Sequence, residues 1–93
     1  MIRSYRDPRA QAILRGEVPR GLSKELCRAA IRRLIALDSA EALAELRLPP
    51  SNRLEALRGD RAGQHSIRIN RQWRLCFRWT EQGPEDVEIV DYH

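Results

Sequence analysis

The segment Trp73–Trp79 has the sequence WRLCFRW, in which apolar and polar side chains alternate. Alternation with a period of two predicts a β-strand that has one face against a core. The apolar side chains are Trp73, Leu75, Phe77 and Trp79. Successive side chains of a strand point to opposite sides, so the other face carries Arg74, Cys76 and Arg78. The segment therefore predicts a sheet with one buried face and one face that bears arginines.

Three neighbouring segments complete the predicted sheet. His65–Asn70 alternates in the same manner, Val87–Tyr92 follows later in the chain, and Arg53–Leu57 is a candidate first strand. The connecting turns are Asn70–Gln72 and Gln82–Pro84. Strands joined by short turns form an antiparallel meander.

The first half of the chain predicts helices. Ile2–Tyr5 is a candidate short strand that precedes them. Asp7 and Pro8 suit the N-cap and first turn of a brief helix that ends near Arg15. Ser23 is a second N-cap, for a helix whose apolar side chains recur at helical spacing. These side chains are Leu26, Ala30, Leu34 and Leu37.

Asp38 and Ser39 interrupt this helical pattern, so we expect them to end the helix and to cap a second short one. Leu43 and Leu46 would face inward there, and Pro49-Pro50 would end it. Helices followed by strands predict an α+β domain, in which an N-terminal helical pair packs on one face of a small antiparallel sheet.

The composition favours one folded domain. The chain has 93 residues and no obvious linker, so we expect a single domain that spans residues 1–93. No apolar run approaches the roughly 20 residues that cross a bilayer, and the charged N-terminus is unlike a signal peptide. We therefore expect a cytoplasmic protein with no membrane partner. In that compartment Cys27 and Cys76 would be reduced core thiols.

Charge is distributed unevenly along the second half of the chain. The net charge is +4, but residues 53–78 carry seven arginines against two acids, and residues 79–93 carry five acids and no basic residue. A guanidinium presents a planar fork of donors that suits phosphate oxygens and stacks on bases. The basic segment favours RNA binding, with an ordinary solvated face as the alternative. Arg74 and Arg78 share a strand face, whereas the sequence leaves open whether Arg68 joins them.

No sequence pattern indicates a metal site or a cofactor site. Neither a C-x-x-C pair nor an H-E-x-x-H helix occurs, and Gly59–Gly63 lacks the spacing of a phosphate-binding loop. We therefore expect no metal and no cofactor. The C-terminal Asp91-Tyr92-His93 contains groups suited to acid–base chemistry, because histidine titrates near neutrality and tyrosine can donate a proton. A frayed tail is the alternative interpretation of this tripeptide.

Three segments together resemble one known family. They are Asn52–Asn70, Gln72–Phe77 and Val87–His93. Their most specific parts are the L-x-G-D-R-x-G sequence from Leu57, the N-x-x-W-R sequence from Asn70 and the terminal D-Y-H. With Met1–Tyr5 and the helical pair, these segments make essentially the whole chain similar to the HigB branch of the RelE toxin superfamily.

The resemblance implies an α+β domain that is the toxin of a type II toxin–antitoxin system. Such a toxin would be a metal-independent endoribonuclease that cleaves mRNA in the ribosomal A site and so inhibits translation. Its implied partner is a HigA-like helix-turn-helix antitoxin that represses the shared operon, which makes any contact with operator DNA indirect. One alternative is a non-catalytic nucleic-acid-binding module of the same fold, whose binding would weaken steeply with salt. The other is an interaction domain whose basic face binds an acidic protein.

The resemblance also implies an active site. The catalytic residues that it carries over are Arg58, Arg74, Asp91, Tyr92 and His93. The RNA-binding residues would be Arg53, Arg61, Arg68, Arg71 and Arg78. Arginines stabilise transition-state charge but cannot act as bases, so His93 or Asp91 is the better proton acceptor. Tyr92 would stack on a base or donate a proton. Glu55 departs from the family pattern, because some relatives have a histidine there.

Overall fold

The computed structural model describes residues 1–92, and His93 lies outside the described residues. The two α-helices are α1, Pro8–Leu14, and α2, Lys24–Ser39. The four strands are β1, Glu55–Ala56, β2, His65–Arg68, β3, Trp73–Thr80, and β4, Gly83–Asp91. Neighbouring strands pair antiparallel in the order β1-β2-β3-β4. The predicted α+β class and the predicted meander are therefore confirmed.

Both helices begin at the predicted N-caps. The Asp7 carboxylate accepts a hydrogen bond from the backbone N–H of Arg9 at 2.9 Å, and Pro8 occupies the first turn. The Ser23 hydroxyl accepts one from the N–H of Leu26 at 3.0 Å. These side chains satisfy N–H groups that have no partner inside the helix. No helix in residues 1–92 is long and apolar enough to cross a membrane.

One face of the sheet packs against the two helices. Its buried side chains are Ile67, Leu75, Phe77, Val87 and Ile89, and they meet buried side chains of α1 and α2 such as Ile13, Leu34 and Leu37. The alternation in β3 thus identified the core face correctly. Cys27 and Cys76 are both buried and form no disulfide, but only Cys27 belongs to the helix-packed core, because Cys76 lies on the opposite face of β3. Because the helices cover one face of the sheet, a substrate could approach only the other face.

As predicted, α2 ends at Asp38-Ser39, but neither residue caps the following helix, whose N-cap is Ala42. The Asp38 carboxylate instead accepts a hydrogen bond from the N–H of Ile2 at 2.8 Å and ties the N-terminal segment to the helix. The second short helix is a 3-10 helix, Leu43–Arg47, and Leu46 is buried as predicted. Its first turn is capped from within, since the Glu45 carboxylate accepts from the N–H of Ala42 at 2.9 Å.

Strand boundaries also differ from the prediction. Residues 2–5 form no strand but run beside β4. The N–H of Arg3 donates to the carbonyl of Pro84, the carbonyl of Ser4 accepts from the N–H of Val87, and Tyr5 forms an isolated bridge with Val87. The segment predicted at residues 53–57 contains only the two residues of β1. β4 begins at Gly83, inside the predicted turn. Gly83 has a φ of +124°, and a Cβ at this position would lie 2.6 Å from the carbonyl oxygen of Met1, so only glycine fits where the N-terminus crosses the sheet.

Candidate active site

The face of the sheet turned away from the helices, called the open face here, is defined by the strand register. Arg68 pairs with Arg74, and Ser66 pairs with Cys76. Directly opposed residues of antiparallel strands share a face. Arg68 therefore joins Arg74, which answers the question that the sequence left open. The same register adds Glu55, opposite Ser66, and Glu88, opposite Cys76.

Arg74 is held in one position on the open face. Its Nε donates to the Ser66 hydroxyl at 2.8 Å, and its Nη2 donates to the backbone carbonyl of Arg53 at 2.7 Å. Its Nη1 lies 3.6 Å from Oε1 of Glu55. Only 11% of the Arg74 side chain is exposed. A guanidinium fixed by three partners is preorganised to meet a charged group without first being reoriented.

Tyr92 covers Arg74 from the end of β4. The guanidinium carbon of Arg74 lies 5.7 Å from the centroid of the Tyr92 ring, within the range of a cation–π contact. The backbone N–H of Tyr92 donates to the carbonyl of Gln72 at 2.6 Å, which continues the pairing of β4 with β3 into the β2–β3 turn. The structure thus brings together Arg74 and Tyr92, two of the predicted catalytic residues.

Burial around Tyr92 favours the protonated form of its phenol. Burial raises the pKa of the Tyr92 phenol, the nearby Cys76 reinforces the shift, and the charges of Arg61 and Arg74 oppose it. Burial also raises the pKa of the Cys76 thiol. Both groups therefore carry their protons at neutral pH. Tyr92 is in the state of a proton donor, with 37% of its surface exposed.

A second set of charges lies beside Tyr92 and Cys76. Nη2 of Arg61 donates to Oε1 of Glu88 at 3.2 Å, and its Nη1 donates to the amide oxygen of Gln64 at 3.1 Å. The Glu88 hydrogen bond raises the pKa of Arg61. Arg6 approaches the other oxygen of Glu88 at 3.6 Å. Arg61 and Glu88 therefore neutralise each other at the edge of the open face.

An open cleft of about 410 Å³ lies in front of Arg74. Its walls are formed by Arg53, Arg68, Asn70, Arg71, Arg74 and Tyr92. Four of these six residues are arginines, and the volume is in the range of pockets that hold small ligands. The cleft thus collects three of the predicted RNA-binding arginines around the predicted catalytic pair.

Other predicted site residues lie elsewhere. Asp91 pairs with Trp73, so its side chain leaves the sheet on the side opposite to Arg74, where it accepts a hydrogen bond from Gln72 at 3.1 Å. Arg78 lies four residues beyond Arg74 on β3, and its Nε is 3.6 Å from the Asp86 carboxylate.

Arg58 is exposed just before a 3-10 helix, Gly59–Arg61, and within residues 1–92 no hydrogen bond or ion pair joins it to Arg74 or Tyr92. Of the two arginines predicted as catalytic, Arg74 therefore lies beside Tyr92, whereas the ion pairs and hydrogen bonds of residues 1–92 do not place Arg58 there. His93 lies outside the described residues.

Four residues of the open face were not predicted as site residues: Glu55, Ser66, Cys76 and Glu88. Ser66 and Cys76 are fully covered although they face away from the helices, because arginine and tyrosine side chains lie over them. Alternation along β2 and β3 contains part of the signal. Alternation alone does not show which residues of neighbouring strands lie opposite each other, because that depends on the register.

Comparison with known proteins identifies the family. Residues 10–93 match the HigB-like toxin family, described as the RelE-like toxin of the type II toxin–antitoxin system HigB. The chain is 49% identical over 53 residues to Toxin HigB-1 of Vibrio cholerae serotype O1, and this match covers 57% of the chain and 56% of that protein. It is 28% identical over 93 residues to Endoribonuclease HigB of Proteus vulgaris, along the full length of both.

The fold has a neighbour among solved structures. The crystal structure of YafQ from E. coli strain BL21(DE3) superimposes with a TM-score of 0.60 at 13% identity and covers 98% of this chain and 91% of YafQ. At that identity the likeness concerns the fold alone. The family match, in contrast, spans nearly the whole sequence. The chain therefore belongs to the HigB-like family, the RelE-like toxins of type II toxin–antitoxin systems.

Proposed function

We propose that this toxin is an endoribonuclease that cleaves mRNA on the ribosome and thereby inhibits translation. The observation that carries the proposal is the guanidinium of Arg74, fixed by Ser66 and Arg53 at the back of an arginine-lined cleft and covered by Tyr92. The likeness to a full-length relative named Endoribonuclease HigB supports the same class of activity.

The proposed reaction is attack by a ribose 2′-hydroxyl on the adjacent phosphorus, with departure of the 5′-oxygen. Negative charge builds up on the phosphoryl oxygens in the transition state, and Arg74 is placed to stabilise it. Arg53, Arg68 and Arg71 would hold the flanking phosphates. Tyr92, whose phenol is protonated at neutral pH and has its pKa raised by burial, would donate its proton to the leaving oxygen. The reaction needs no metal ion in this scheme.

The remaining predicted residues take outer roles in the proposal. Arg58 is exposed, so its guanidinium is available to a phosphate further along the RNA. Arg61 and Arg78 are each occupied by a carboxylate, Glu88 and Asp86 respectively, and would contribute less. Asp91 and His93 remain proposed members of the site by resemblance alone. Because the Asp91 side chain leaves the sheet on the side opposite to Arg74, its carboxylate would have a supporting rather than a direct role.

The family implies an antitoxin partner. We extend this to a HigA-like helix-turn-helix antitoxin that binds the operator DNA and carries the toxin with it. We also place the toxin in the cytoplasm, where ribosomes and mRNA are found. The basic cleft supports a nucleic-acid substrate, and a ribosome would supply the in-line geometry that free RNA seldom adopts.

The test is a reconstituted translation reaction with the purified chain, in which mRNA cuts are mapped by primer extension. We expect the wild type to cut the translated message. Arg74→Ala should lose a factor of about 10²–10³ in rate, the usual effect of removing one preorganised donor. Arg32→Ala on the exposed face of α2 is the matched control and should cut like the wild type. Binding without any cut product would favour the non-catalytic alternative.

A further inference from the structure

We infer that Asn52, which takes no part in the proposed chemistry, is a positioning residue that holds the Arg74 guanidinium through the backbone of Arg53. The inference rests on the proposed ribonuclease function and deepens it. Asn52 is polar, yet only 3% of it is exposed. A buried polar side chain costs free energy unless its hydrogen bonds are made. The hydrogen bonds that Asn52 makes lie in the segment that ends at Arg53.

The Asn52 side chain closes this segment on itself. Its Nδ2 donates to the backbone carbonyl of Leu46 at 3.2 Å and to that of Leu48 at 3.2 Å. An amide nitrogen has two hydrogens, so both donors are used. The backbone N–H of Asn52 donates in addition to the carbonyl of Pro49 at 2.9 Å. Because Leu46 is a buried core residue, these bonds join the segment to the core.

Arg53 follows directly and changes the direction of the chain. Its φ of +46° and ψ of +57° lie in the left-handed region, which is unfavourable for a residue with a long side chain. Such a conformation persists where surrounding contacts determine it. The N–H of Arg53 donates to the carbonyl of Pro50 at 3.1 Å, and the amide of Asn52 fixes the residues just before it. The left-handed turn at Arg53 therefore depends on Asn52.

The carbonyl that this turn presents is an acceptor for Arg74. It accepts from Nη2 at 2.7 Å, whereas the Ser66 hydroxyl accepts from Nε at 2.8 Å. Two acceptors at different nitrogens fix the plane of a guanidinium, and one acceptor leaves that plane free to rotate. A donor group stabilises transition-state charge best when it needs no reorientation during the reaction. Asn52 thus acts on the rate through the Arg53 carbonyl and Arg74.

The experiment is a double-mutant cycle on the single-turnover cleavage rate of ribosome-bound mRNA. Asn52→Leu keeps the size of the side chain but donates no hydrogen bond. We expect it to lower the rate by about 10²-fold, the effect of a displacement near 1 Å, with little change in affinity for the ribosome complex. In an Arg74→Ala background the same substitution should cost less than about threefold, because no guanidinium is left to position.

A control of matched stability separates positioning from folding. Ile13→Val in the helix-packed core also lowers the urea midpoint, but it lies far from the cleft and should cut like the wild type. If Asn52→Leu does not fold, Asn52→Ser, which keeps a hydroxyl donor, takes its place in the same cycle, with a smaller rate loss expected.

Two results would overturn the inference alone. One is a folded Asn52 variant that cleaves as fast as Ile13→Val. The other is an equal loss with and without Arg74, which would mean that Asn52 does not act through the guanidinium. A wild type that cuts no message would remove the ribonuclease proposal, and this inference with it, so the two kinds of failure are distinguishable.

Discussion

At the scale of single residues, the site depends on groups that hold Arg74 rather than on Arg74 alone. Ser66 is fully buried and accepts from Nε, and the backbone carbonyl of Arg53 accepts from Nη2. Arg53 has a φ of +46°, a left-handed conformation that non-glycine residues seldom adopt. Strained residues of this kind cluster at functional sites.

Tyr92 gives the first prediction at this scale. Tyr92→Phe removes the phenolic proton and keeps the ring over Arg74, so we expect the cleavage rate to fall by about 10²-fold or more with little change in RNA affinity. Tyr92→Ala should lower both. Single-turnover rates and equilibrium binding to the ribosome complex measure the two effects separately. An unchanged rate for Tyr92→Phe would remove the phenol from the reaction.

The raised pKa of Tyr92 also fixes the sign of its pH dependence. A proton donor is active while protonated, and a pKa raised above its ordinary value moves the loss of activity to higher pH. The wild-type rate should therefore show no decline between pH 7 and 9. A decline with a midpoint below pH 9 would contradict the assignment of Tyr92 as the donor.

At the scale of elements, the turn between β2 and β3 sets the register on which the open face depends. The Asn70 side-chain oxygen accepts from the N–H of Gln72 at 2.9 Å and from that of Trp73 at 2.8 Å. This closes the turn as an Asx turn. The register that follows places Arg68 directly beside Arg74. A shift by one residue would move every side chain of the strand to the other face.

A third prediction concerns this turn. Asn70→Ala removes both hydrogen bonds, so we expect the free energy of unfolding to fall by about 1 kcal/mol. The cleavage rate should fall as well, because the pairing of Arg68 with Arg74 is less firmly fixed. Urea unfolding and single-turnover cleavage are the two measurements. Ser51→Ala, an exposed change outside the sheet, is the control. A stable variant with full activity would show that the strands hold the register without the turn.

Elements also show why some boundaries escaped sequence analysis. The helix N-caps and the meander were predicted because capping residues and alternation are local signals. The hydrogen bond from the N–H of Ile2 to the Asp38 carboxylate joins residues that are distant in sequence. Likewise, Asp86 has a φ of +53° within an irregularity where the β3–β4 register shifts beyond Cys76. Tertiary contacts of this kind produce no periodic pattern in the sequence, so sequence analysis does not predict them.

At the scale of the whole molecule, the apolar core and the proposed active site lie on opposite faces of the sheet. The helices cover one face of the sheet with apolar side chains, and the other face carries the cluster of charges. The arginine cleft and the pairing of Arg74 with Tyr92 follow from residues that the family resemblance had indicated. The positions of Asp91 and Glu55 depend on register and were beyond sequence analysis. Glu55 appeared in the sequence only as a departure from the family, whereas the structure sets it against Arg74.

The most direct test of the account is the single-turnover cleavage rate of Arg74→Lys on ribosome-bound mRNA. Lysine keeps the positive charge but lacks the planar fork that Ser66, Arg53 and Glu55 hold in place. We predict a loss of about 10²-fold in rate with nearly unchanged affinity for the ribosome complex. A lysine variant that cuts as fast as the wild type would contradict the claim that a fixed guanidinium at this position performs the chemistry.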